Sequence, residues 1–565
     1  MSRITSVIGG FLGLACLVSG ALPPTRYDRC KCLPGDACWP SEQDWNRFNV
    51  TVGGRLIKTI PLGSPCHDPH YDSDKCEELK SQWTKAPVHI DSSSSVQAAI
   101  FANASCDPFT PRSTPCLLGN YVSYAVNVTG PTDIAATIRF ADKNNVRLVV
   151  RNTGHDYMGR STGAGGLAIW THFLKNITVK DWSDGTYRGK ALKLSAGVQG
   201  SDVLSAADAV GLIAVTGECP TVGIAGGYTM GGGHSPLSTA FGLSADNTLE
   251  FEVVTADGKL VYAHPSSPEH ADLFWALSGS GSGNYGVVVS VTVKAHPNAI
   301  TSGASFVIDD SGIDYGSVLD VWHAKLPAIV DSGCQVTYAV SNTSLQLFSI
   351  TGYNRTQDDI FQTLQPFIET MAAMNTSLEP KYTTFSRYHD HYLDYFGPLP
   401  AGLFGGASDQ LMGGRLLPRK DLSSIGPAIK KTLQLGVRFI GQAESVSRFA
   451  TSQRAVLPQW RDALVMSAYS LPFSLEVPIA DMEARQDYIT NTIMPLIESV
   501  TPNAGAYINE ADYQQPDWQN AFYGSNYGRL LSAKKKYDPK GLFYNRIAVG
   551  SEKWVSRDDG RLCLA

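Results

Sequence analysis

Apolar residues between positions 119 and 298 alternate between helical and strand spacing. In the stretch "GPTDIAATIRFADKNNVRLVVRNTGH" a proline precedes apolar residues spaced as on one face of a helix, which are Ile134, Ala135, Ile138 and Ala141. The β-branched run at residues 146 to 150 comes next and has strand spacing. This order of elements predicts an α/β unit.

Later segments extend the pattern and then change it. The stretch "LKLSAGVQGSDVLSAADAVGLIAVTGECPTVG" has the order strand, helix, strand and turn, and "LEFEVVTADGKLVYAHP" is typical of a β-hairpin on an Asp-Gly turn. From about residue 300 to 500 glycine becomes rarer and helical patterns with aromatic residues predominate, whereas residues 501 to 554 are again rich in Tyr, Asn and Gly. We predict a two-domain α+β fold whose last segment returns to the first domain.

The predicted divisions follow from these shifts in pattern. They are a signal peptide at 1–20, a cysteine-rich part at 21–118, a cofactor domain at 119–298, a substrate domain at 299–500 and the returning segment at 501–565.

Composition and charge limit the function classes. The chain has 565 residues, of which 43% are hydrophobic and 17% charged, so it can bury more than one core. Its net charge is −6 and it has no long basic run, which argues against nucleic acid or an anionic membrane as partner. We expect a monomer that acts on a small molecule.

The first residues, "MSRITSVIGGFLGLACLVSGALPP", combine one arginine with an apolar stretch too short to span a bilayer. Small residues at Val18 and Gly20 suit a cleavage site, so we predict cleavage after Gly20 or Ala21 in preference to a signal anchor. The mature protein is then expected to be secreted and glycosylated, at sequons on Asn49, Asn103, Asn127, Asn176, Asn342, Asn354 and Asn375.

Cysteine spacing agrees with an oxidising compartment. Of the eleven cysteines, Cys16 lies in the leader, and three short intervals suit local disulfides, between Cys32 and Cys38, Cys66 and Cys76, and Cys106 and Cys116. Cys30 and Cys563 can tie the two chain ends together, which leaves Cys219 and Cys334 without assigned partners. Other pairings stay open at this level.

Glycine-rich stretches indicate a large cofactor. They are "RNTGHDYMGRSTGAGG", "CPTVGIAGGYTMGGGHS" and "LSGSGSGNYGVVVSVTV". Glycines let the backbone approach a planar or phosphorylated ligand, although each stretch alone also fits an ordinary tight turn. The third stretch follows a helix-like "EHADLFWAL" and precedes a strand, the reverse of the order in a Rossmann fold, so we expect no Rossmann domain.

Two motifs together make the sequence resemble a known family. His155 lies in Arg-x-x-Gly-His-Asp and Cys219 in Cys-Pro-Thr-Val-Gly, and "FWALSGSGSGNYGVV", "YINEAD" and "YDPKGLFYNRIAVGSEKW" follow. With its start "CLPGDACWP", the chain resembles secreted fungal members of the berberine-bridge-enzyme-like branch of the vanillyl-alcohol-oxidase flavoproteins. The resemblance implies a two-lobed FAD-binding domain of the PCMH type plus an α/β substrate domain with an antiparallel sheet.

The resemblance also implies bicovalent FAD, with the imidazole of His155 bonded to the 8α methyl of the flavin and the sulfur of Cys219 to carbon 6. Each bond would withdraw electron density and raise the flavin potential. Main-chain amides of residues 152 to 156 would hold the pyrophosphate. The further cofactor-binding residues that we expect are Arg151, Asn152, Thr153, Gly154, Asp156, Gly223, Gly227, Gly283 and Asn545.

For catalysis, the resemblance implies hydride transfer to the flavin, uptake of the substrate proton by a base, and reoxidation by molecular oxygen with release of hydrogen peroxide. Val222 matches a position at which valine accompanies oxygen access, which favours an oxidase, although plain core packing fits Val222 too. Tyr507 matches an active-site phenol, whereas His234 stands where plant relatives have a second tyrosine. Both are candidates for the base, and we favour Tyr507 because its motif matches the family.

Other readings stay open. A flavin-dependent dehydrogenase or oxidative cyclase fits the same motifs, and a secreted glycoprotein without turnover is argued against by the intact His155 and Cys219. The segment "RYHDHY" has alternating histidines without a third ligand at matching spacing, so we expect a hydrated loop and no metal. The expected substrate is an alcohol, a sugar or a secondary metabolite.

Overall fold

The computed structural model describes residues 29–565 except 310, 311, 405, 408 and 409. The predicted signal peptide lies outside the described residues. The strands are β1 Leu56–Lys58, β2 Tyr124–Asn127, β3 Leu148–Arg151, β4 Leu167–Trp170, β5 Ile177–Ser183, β6 Arg188–Ser195, β7 Leu212–Ile213, β8 Thr248–Thr255, β9 Leu260–Ala263, β10 Gly286–Lys294, β11 His296–Pro297, β12 Thr301–Ile308, β13 Gln335–Val340, β14 Leu345–Tyr353, β15 Lys381–Phe385, β16 Gln410–Pro418, β17 Arg438–Ala443, β18 Ala463–Pro472, β19 Trp554–Ser556 and β20 Leu562–Leu564. The α-helices are α1 Glu42–Thr51, α2 Ser73–Gln82, α3 Ala86–Ile90, α4 Pro131–Lys143, α5 Gly200–Asp208, α6 Ser238–Phe241, α7 Ala271–Leu277, α8 Tyr315–Asp331, α9 Gln357–Ala373, α10 Tyr388–Phe396, α11 Gly426–Gln434, α12 Ile479–Tyr488, α13 Met494–Glu498, α14 Trp518–Tyr523 and α15 Tyr527–Tyr537.

The first half of the chain forms two sheets with α4 between them. Strands β2, β4 and β3 are parallel neighbours with β1 antiparallel at the edge, and β5-β6-β10-β8-β9 form an antiparallel sheet. Helix α4 buries Ile134 and Ile138 in one cluster with Val254 from the second sheet. The predicted α/β unit is confirmed, with the strand at Leu148–Arg151 instead of residues 146 to 150.

The predicted hairpin and the order around the third glycine stretch are also confirmed. Strands β8 and β9 pair across the turn that contains Gly258, whose φ of +79° suits a residue without a Cβ. The third glycine stretch follows α7 and precedes β10, so this part of the chain does not have the strand, loop and helix order of a Rossmann fold.

The second lobe is built on a seven-stranded antiparallel sheet in the order β15-β12-β14-β13-β17-β18-β16. One of its faces packs against α8, α9, α11, α12 and α13 in a large apolar cluster. Because side chains alternate along a strand, the other face is free to line a cavity between the lobes. The predicted α+β class with an antiparallel sheet in the second lobe is confirmed.

The chain then returns to the first lobe. Ala506 and Ile508, with α14 and α15, belong to the same core cluster as strands β6, β8 and β10. The positions of the domain boundaries themselves stay a prediction. Among the described residues no helix is both long and apolar enough to cross a membrane.

The structure contains four disulfides at the expected pairs, Cys30–Cys563, Cys32–Cys38, Cys66–Cys76 and Cys106–Cys116. The first of them joins residues 533 positions apart and ties the two ends of the described chain together. Cys219 and Cys334 are free, as expected from their lack of assigned partners.

The hydrated loop expected at "RYHDHY" is wrong. Residues Tyr388–Phe396 form a helix, and His391 is buried with its Nε2 3.0 Å from the hydroxyl of Thr351. The aromatic residues Tyr388, Tyr392 and Tyr395 recur at helical spacing and bury one face, so the polar histidines were the misleading signal.

Candidate active site

The loop after β3 presents free main-chain amides. Among the described residues, the N–H groups of residues 152 to 156 donate no hydrogen bond, while the carbonyls of Thr153 and Gly154 accept from the side chain and main chain of Gln97, both at 3.2 Å. Gln97 therefore fixes the loop through its carbonyls and leaves the amides for a ligand. A row of such amides is a binding site for an anion.

Arg151 supports this loop from beneath and does not line the cavity described below. It is fully buried and donates to the carbonyls of His89 and Ser92 at 2.8 and 2.9 Å. Gly154 has a φ of +84°, and a Cβ there would lie 2.7 Å from Nη1 of Arg151. The guanidinium and the glycine are thus packed against each other, and the structure gives Arg151 a place in the loop's support.

A second loop, at residues 219 to 223, is held by the start of α5. The amides of Gly200 and Ser201 donate to the carbonyls of Val222 and Pro220 at 3.0 and 2.8 Å, and Nε2 of Gln199 donates to the carbonyl of Thr221 at 2.7 Å. These bonds fix the direction of the side chains that follow Cys219 in the sequence.

One hydroxyl lies between the two residues expected to bind the flavin. Oγ1 of Thr221 is 2.8 Å from Nε2 of His155 and 3.2 Å from Sγ of Cys219. Burial lowers the pKa of His155 to about 3, with the charge of Arg151 acting in the same direction, so this imidazole is neutral at pH 7. Burial raises the pKa of Cys219, which keeps it as a thiol at that pH.

All of the predicted site residues except Arg151 line a single cavity of about 520 Å³. They are Asn152, Thr153, Gly154, His155, Asp156, Cys219, Val222, Gly223, Gly227, His234, Gly283, Tyr507 and Asn545. We call the side formed by residues 150–161, 217–234 and 282–288 the loop wall. The opposite side is the sheet wall, formed by Thr337, Phe348, Gln410, Met412, Arg438, Ile440, Gln442 and Ala468.

The loop wall fits a large ligand with phosphate groups. A Cβ at Gly223 would lie 2.4 Å from Nδ2 of Asn152, and one at Gly283, whose φ is +68°, would lie 2.6 Å from Nδ2 of Asn545. Arg160 lines the same wall, and its Nε and Nη2 are buried without a hydrogen-bond partner among the described residues. Unpaired donors of this kind, close to a row of free amides, suit a pyrophosphate.

The two predicted bases belong to one connected group. The rings of Tyr507 and His234 meet edge to face with centroids 5.4 Å apart, and Nε2 of His234 is 3.0 Å from Oε1 of Glu510. The hydroxyl of Tyr507 accepts from Nδ2 of Asn509 at 2.8 Å. Glu510 lines the cavity as well, so its carboxyl lies within the same site.

Charge and burial set the protonation states of this group. Burial lowers the pKa of His234, but neighbouring carboxylates, that of Glu510 foremost, outweigh burial and raise it to about 9. Burial, helped by the charge of Glu510, raises the pKa of Tyr507 above its usual value. At neutral pH the histidine is therefore a cation and the tyrosine a neutral phenol.

Two further carboxyl groups lie behind His234. Glu218 is buried and accepts hydrogen bonds from Thr337 at 2.5 Å and from Gln335 at 3.3 Å, and burial raises its pKa. Burial likewise raises the pKa of Glu444 to about 8. The charges of both contribute to the raised pKa of His234, so the groups titrate together.

Comparison with known proteins decides the family. A family model described as "FAD binding domain" matches residues 122–263, and one described as "Berberine and berberine like" matches residues 506–550. The FAD-linked oxidoreductase ZEB1 of Gibberella zeae is 49% identical over 94% of this chain and 95% of its own length. The crystal structure of the VAO-type flavoprotein MtVAO615 from Myceliophthora thermophila C1 superposes with a TM-score of 0.91 at 39% identity, covering 95% of this chain and 100% of that one.

The chain belongs to the VAO-type FAD-linked oxidoreductases. The region that matches the FAD-binding model contains residues 150–161 and 217–234 of the loop wall, and the berberine-like segment contains Tyr507, Glu510 and Asn545. Membership makes the protein an enzyme, which removes the alternative of a glycoprotein without turnover. A more distant relative shares the fold: glucooligosaccharide oxidase from Acremonium strictum, which has a 6-S-cysteinyl, 8α-N1-histidyl FAD, superposes with a TM-score of 0.62 at 19% identity over 76% of this chain and 92% of that one.

Several residues of this oxidoreductase site were missed by reasoning from the sequence. Thr221 and Glu510 lie inside motifs that were quoted for their neighbours, and Arg160 lies five residues after His155. Thr221 lies between Cys219 and Val222, and a polar residue between two candidate site residues is a signal that could have identified it. Glu218 directly precedes Cys219, so a similar signal applies to it, whereas the sheet wall has no local signal because strands far apart in sequence bring its residues together.

Proposed function

We propose that the protein is an FAD-dependent oxidase that binds FAD bicovalently through His155 and Cys219 and reduces molecular oxygen to hydrogen peroxide. The observation that supports this most is that both side chains line one cavity and lie within hydrogen-bonding distance of the same hydroxyl, that of Thr221. The relative from Acremonium strictum, which has the same fold, has one histidyl and one cysteinyl bond to its flavin.

The residues that would hold FAD are those of the loop wall. The free amides of residues 152 to 156 and the unpaired donors of Arg160 would bind the pyrophosphate. Gly223 and Gly283 let the side-chain amides of Asn152 and Asn545 pack closely against the loop wall, since a Cβ at either glycine would meet them. Bound FAD supplies a hydride acceptor that oxygen can reoxidise, and covalent bonds to the ring raise its potential.

The proton of the substrate would be taken up by Glu510. At neutral pH, His234 already has its proton and Tyr507 keeps its own, so neither is in the form of a base. The carboxyl of Glu510 lines the cavity, and its Oε1 lies 3.0 Å from Nε2 of His234. In this proposal Tyr507 and His234, the two bases considered from the sequence, orient and polarise the hydroxyl of the substrate.

Oxygen access would depend on Val222. Its side chain lines the cavity three residues after Cys219 and packs partly buried against the main core of the first lobe. A larger side chain there would fill part of the space next to the loop wall. This supports an oxidase over a flavin-dependent dehydrogenase or an oxidative cyclase.

The substrate class follows from the sheet wall. Phe348, Met412 and Ile440 give it an apolar centre, with the polar Gln442 on the inner side and Arg438 on the outer side of Ile440 along β17. This lining favours an alcohol with an apolar body and a few polar groups, such as a secondary metabolite, over a sugar, because the three apolar side chains at its centre offer sugar hydroxyls no hydrogen-bond partner. We further propose that the protein is secreted, glycosylated and monomeric.

Peroxide release is the direct test. Purified protein is incubated with matched sets of apolar alcohols and oligosaccharides, and hydrogen peroxide is measured at a fixed oxygen concentration. The proposal expects peroxide with at least one apolar alcohol and consumption of one oxygen molecule per turnover. Substrate oxidation that proceeds only with an artificial electron acceptor, and without peroxide, would reject the oxidase.

A further inference from the structure

We propose that Thr221 is a positioning residue for both flavin bonds, because its hydroxyl holds Nε2 of His155 and polarises the thiol of Cys219. The inference rests on the bicovalent attachment proposed above. It assigns a role to a side chain that contacts neither the loop amides nor the sheet wall.

Geometry gives Thr221 this position. The side chain is 2% exposed, and its carbonyl is fixed by Nε2 of Gln199 at 2.7 Å. Its Oγ1 can therefore reach His155 at 2.8 Å and Cys219 at 3.2 Å without a change in the loop. A hydroxyl has one hydrogen to donate and lone pairs to accept with, so it can satisfy both partners at once.

The contact selects which imidazole nitrogen is free. Nε2 of His155 is engaged with Thr221, and Nδ1 has no hydrogen-bond partner among the described residues. When Nε2–H donates to Oγ1, the lone pair of the neutral ring lies on Nδ1, where a bond to carbon can form. The hydrogen of Thr221 is then available to Sγ of Cys219, where it stabilises the thiolate, the reactive form.

The chemistry of attachment balances with oxygen as the oxidant. Each attachment replaces one flavin C–H bond and one N–H or S–H bond of the protein with a single C–N or C–S bond. The two hydrogens released, with their two electrons, pass to molecular oxygen and give hydrogen peroxide. Thr221 supplies no atom to either bond, so its effect is on orientation and proton position alone.

The test compares variants with and without the hydroxyl. Thr221→Val and Thr221→Ala remove it, Thr221→Ser keeps it, and Thr216→Val is a matched control, since Thr216 is fully buried in the same segment and its hydroxyl has no partner among the described residues. Full-length holoproteins are denatured and digested, and the fraction of folded, flavin-containing chains with flavin on the peptide of His155, of Cys219 or of both is measured by mass spectrometry.

We expect doubly bonded flavin to fall about tenfold in Thr221→Val and Thr221→Ala and to return in Thr221→Ser and in the control. A time course with FAD added to flavin-free full-length protein should show the same ratio in rate. Equal fractions and rates in the wild type and in both variants without the hydroxyl would overturn the role of Thr221 alone. Wild-type protein without any bonded flavin would overturn the proposed attachment as well, so the two failures are distinguishable.

Discussion

The loop wall and the sheet wall of the cavity are encoded in different ways. The functional side chains of the loop wall come from short runs of sequence, such as residues 152 to 156 and 219 to 223, each next to glycines. The sheet wall takes one to three residues from each of the strands β13, β14, β16, β17 and β18. The residues of the loop wall are therefore close together in sequence, whereas the make-up of the sheet wall depends on the register of its strands.

Register explains why the sheet wall has no motif. On β17 the residues Arg438, Ile440 and Gln442 face the cavity, while Phe439 and Ala443 join the core of the second lobe. A shift of one residue would exchange the two sets. The loop wall is insensitive to such shifts, because its positions follow from turns that glycines with positive φ allow.

The largest predicted effect concerns the base. Glu510→Gln should lower the rate of flavin reduction by substrate by ~10²- to 10⁴-fold, because the amide cannot accept the proton. Flavin attachment should be unchanged, since His155 and Cys219 are untouched. Stopped-flow reduction without oxygen measures the rate, and Glu379→Gln on the exposed surface is the control.

Two further variants sharpen this result. The pKa of His234 is raised to about 9, so His234 should lose its charge near pH 9 and not near the ordinary imidazole value of about 6.5. If the rate of flavin reduction changes with pH because of this loss, the change should occur near pH 9 and should be absent in His234→Gln. If Tyr507→Phe slows reduction more than Glu510→Gln at every pH, the phenol is the base and the assignment to Glu510 is wrong.

The next effect concerns the pH dependence of stability that the buried carboxyl of Glu444 causes. The pKa of Glu444 is about 8 in the folded protein and ordinarily 4.5, so the folded state keeps a proton that the unfolded chain releases. The stability from this proton is complete below pH 4.5 and is lost as the pH rises through 8; the raised pKa of His234 acts in the same direction between 6.5 and about 9. Glu444→Gln should remove the pH dependence of stability that Glu444 contributes, which for a pKa change from 4.5 to about 8 is on the order of 5 kcal/mol.

Thermal melting between pH 5 and 9 checks this. The melting temperature of Glu444→Gln should change little up to about pH 6.5 and then decline only by the share of His234, whereas that of the wild type should decline over the whole range. Parallel melting profiles for the two proteins would mean that Glu444 is ionised in the folded state at all of these pH values.

A smaller effect is expected for oxygen. Val222→Leu adds one methylene beside the loop wall and should slow reoxidation by about tenfold, equivalent to roughly 1.4 kcal/mol of barrier, while reduction by substrate stays nearly unchanged. Mixing reduced enzyme with oxygenated buffer measures the rate. Identical reoxidation in both proteins would leave Val222 with a packing role only.

The smallest effect is expected on the sheet wall. Ile440→Ala should raise the KM for an apolar alcohol by a few fold, about the value of one or two lost methylene contacts, with little change in flavin reduction at saturation. Steady-state kinetics with the substrate found by peroxide release measures it. If Ile440→Ala changes the rate of flavin reduction and leaves KM as it was, the idea that the sheet wall binds substrate while the loop wall supports the chemistry is wrong.

Reasoning from the sequence worked where chemistry is local. His155, Cys219 and their neighbouring glycines could be named because each motif is continuous, and the structure brings them into one cavity. Arg151 stands in the same motif but packs beneath the loop, since a motif does not reveal which side of a turn a side chain takes. The helix at Tyr388–Phe396 was wrongly predicted as a hydrated loop, because the prediction weighed its two histidines and not the helical spacing of its aromatic residues.

The central claim is that one flavin joins the loop around His155 to the loop around Cys219. Wild-type protein is precipitated with acid, washed, digested and analysed by mass spectrometry with detection of the flavin absorbance. The account predicts that the precipitate stays yellow and that one species contains both peptides linked through a single FAD-derived group. Release of all flavin into the acid supernatant, with both peptides recovered unmodified, would contradict it.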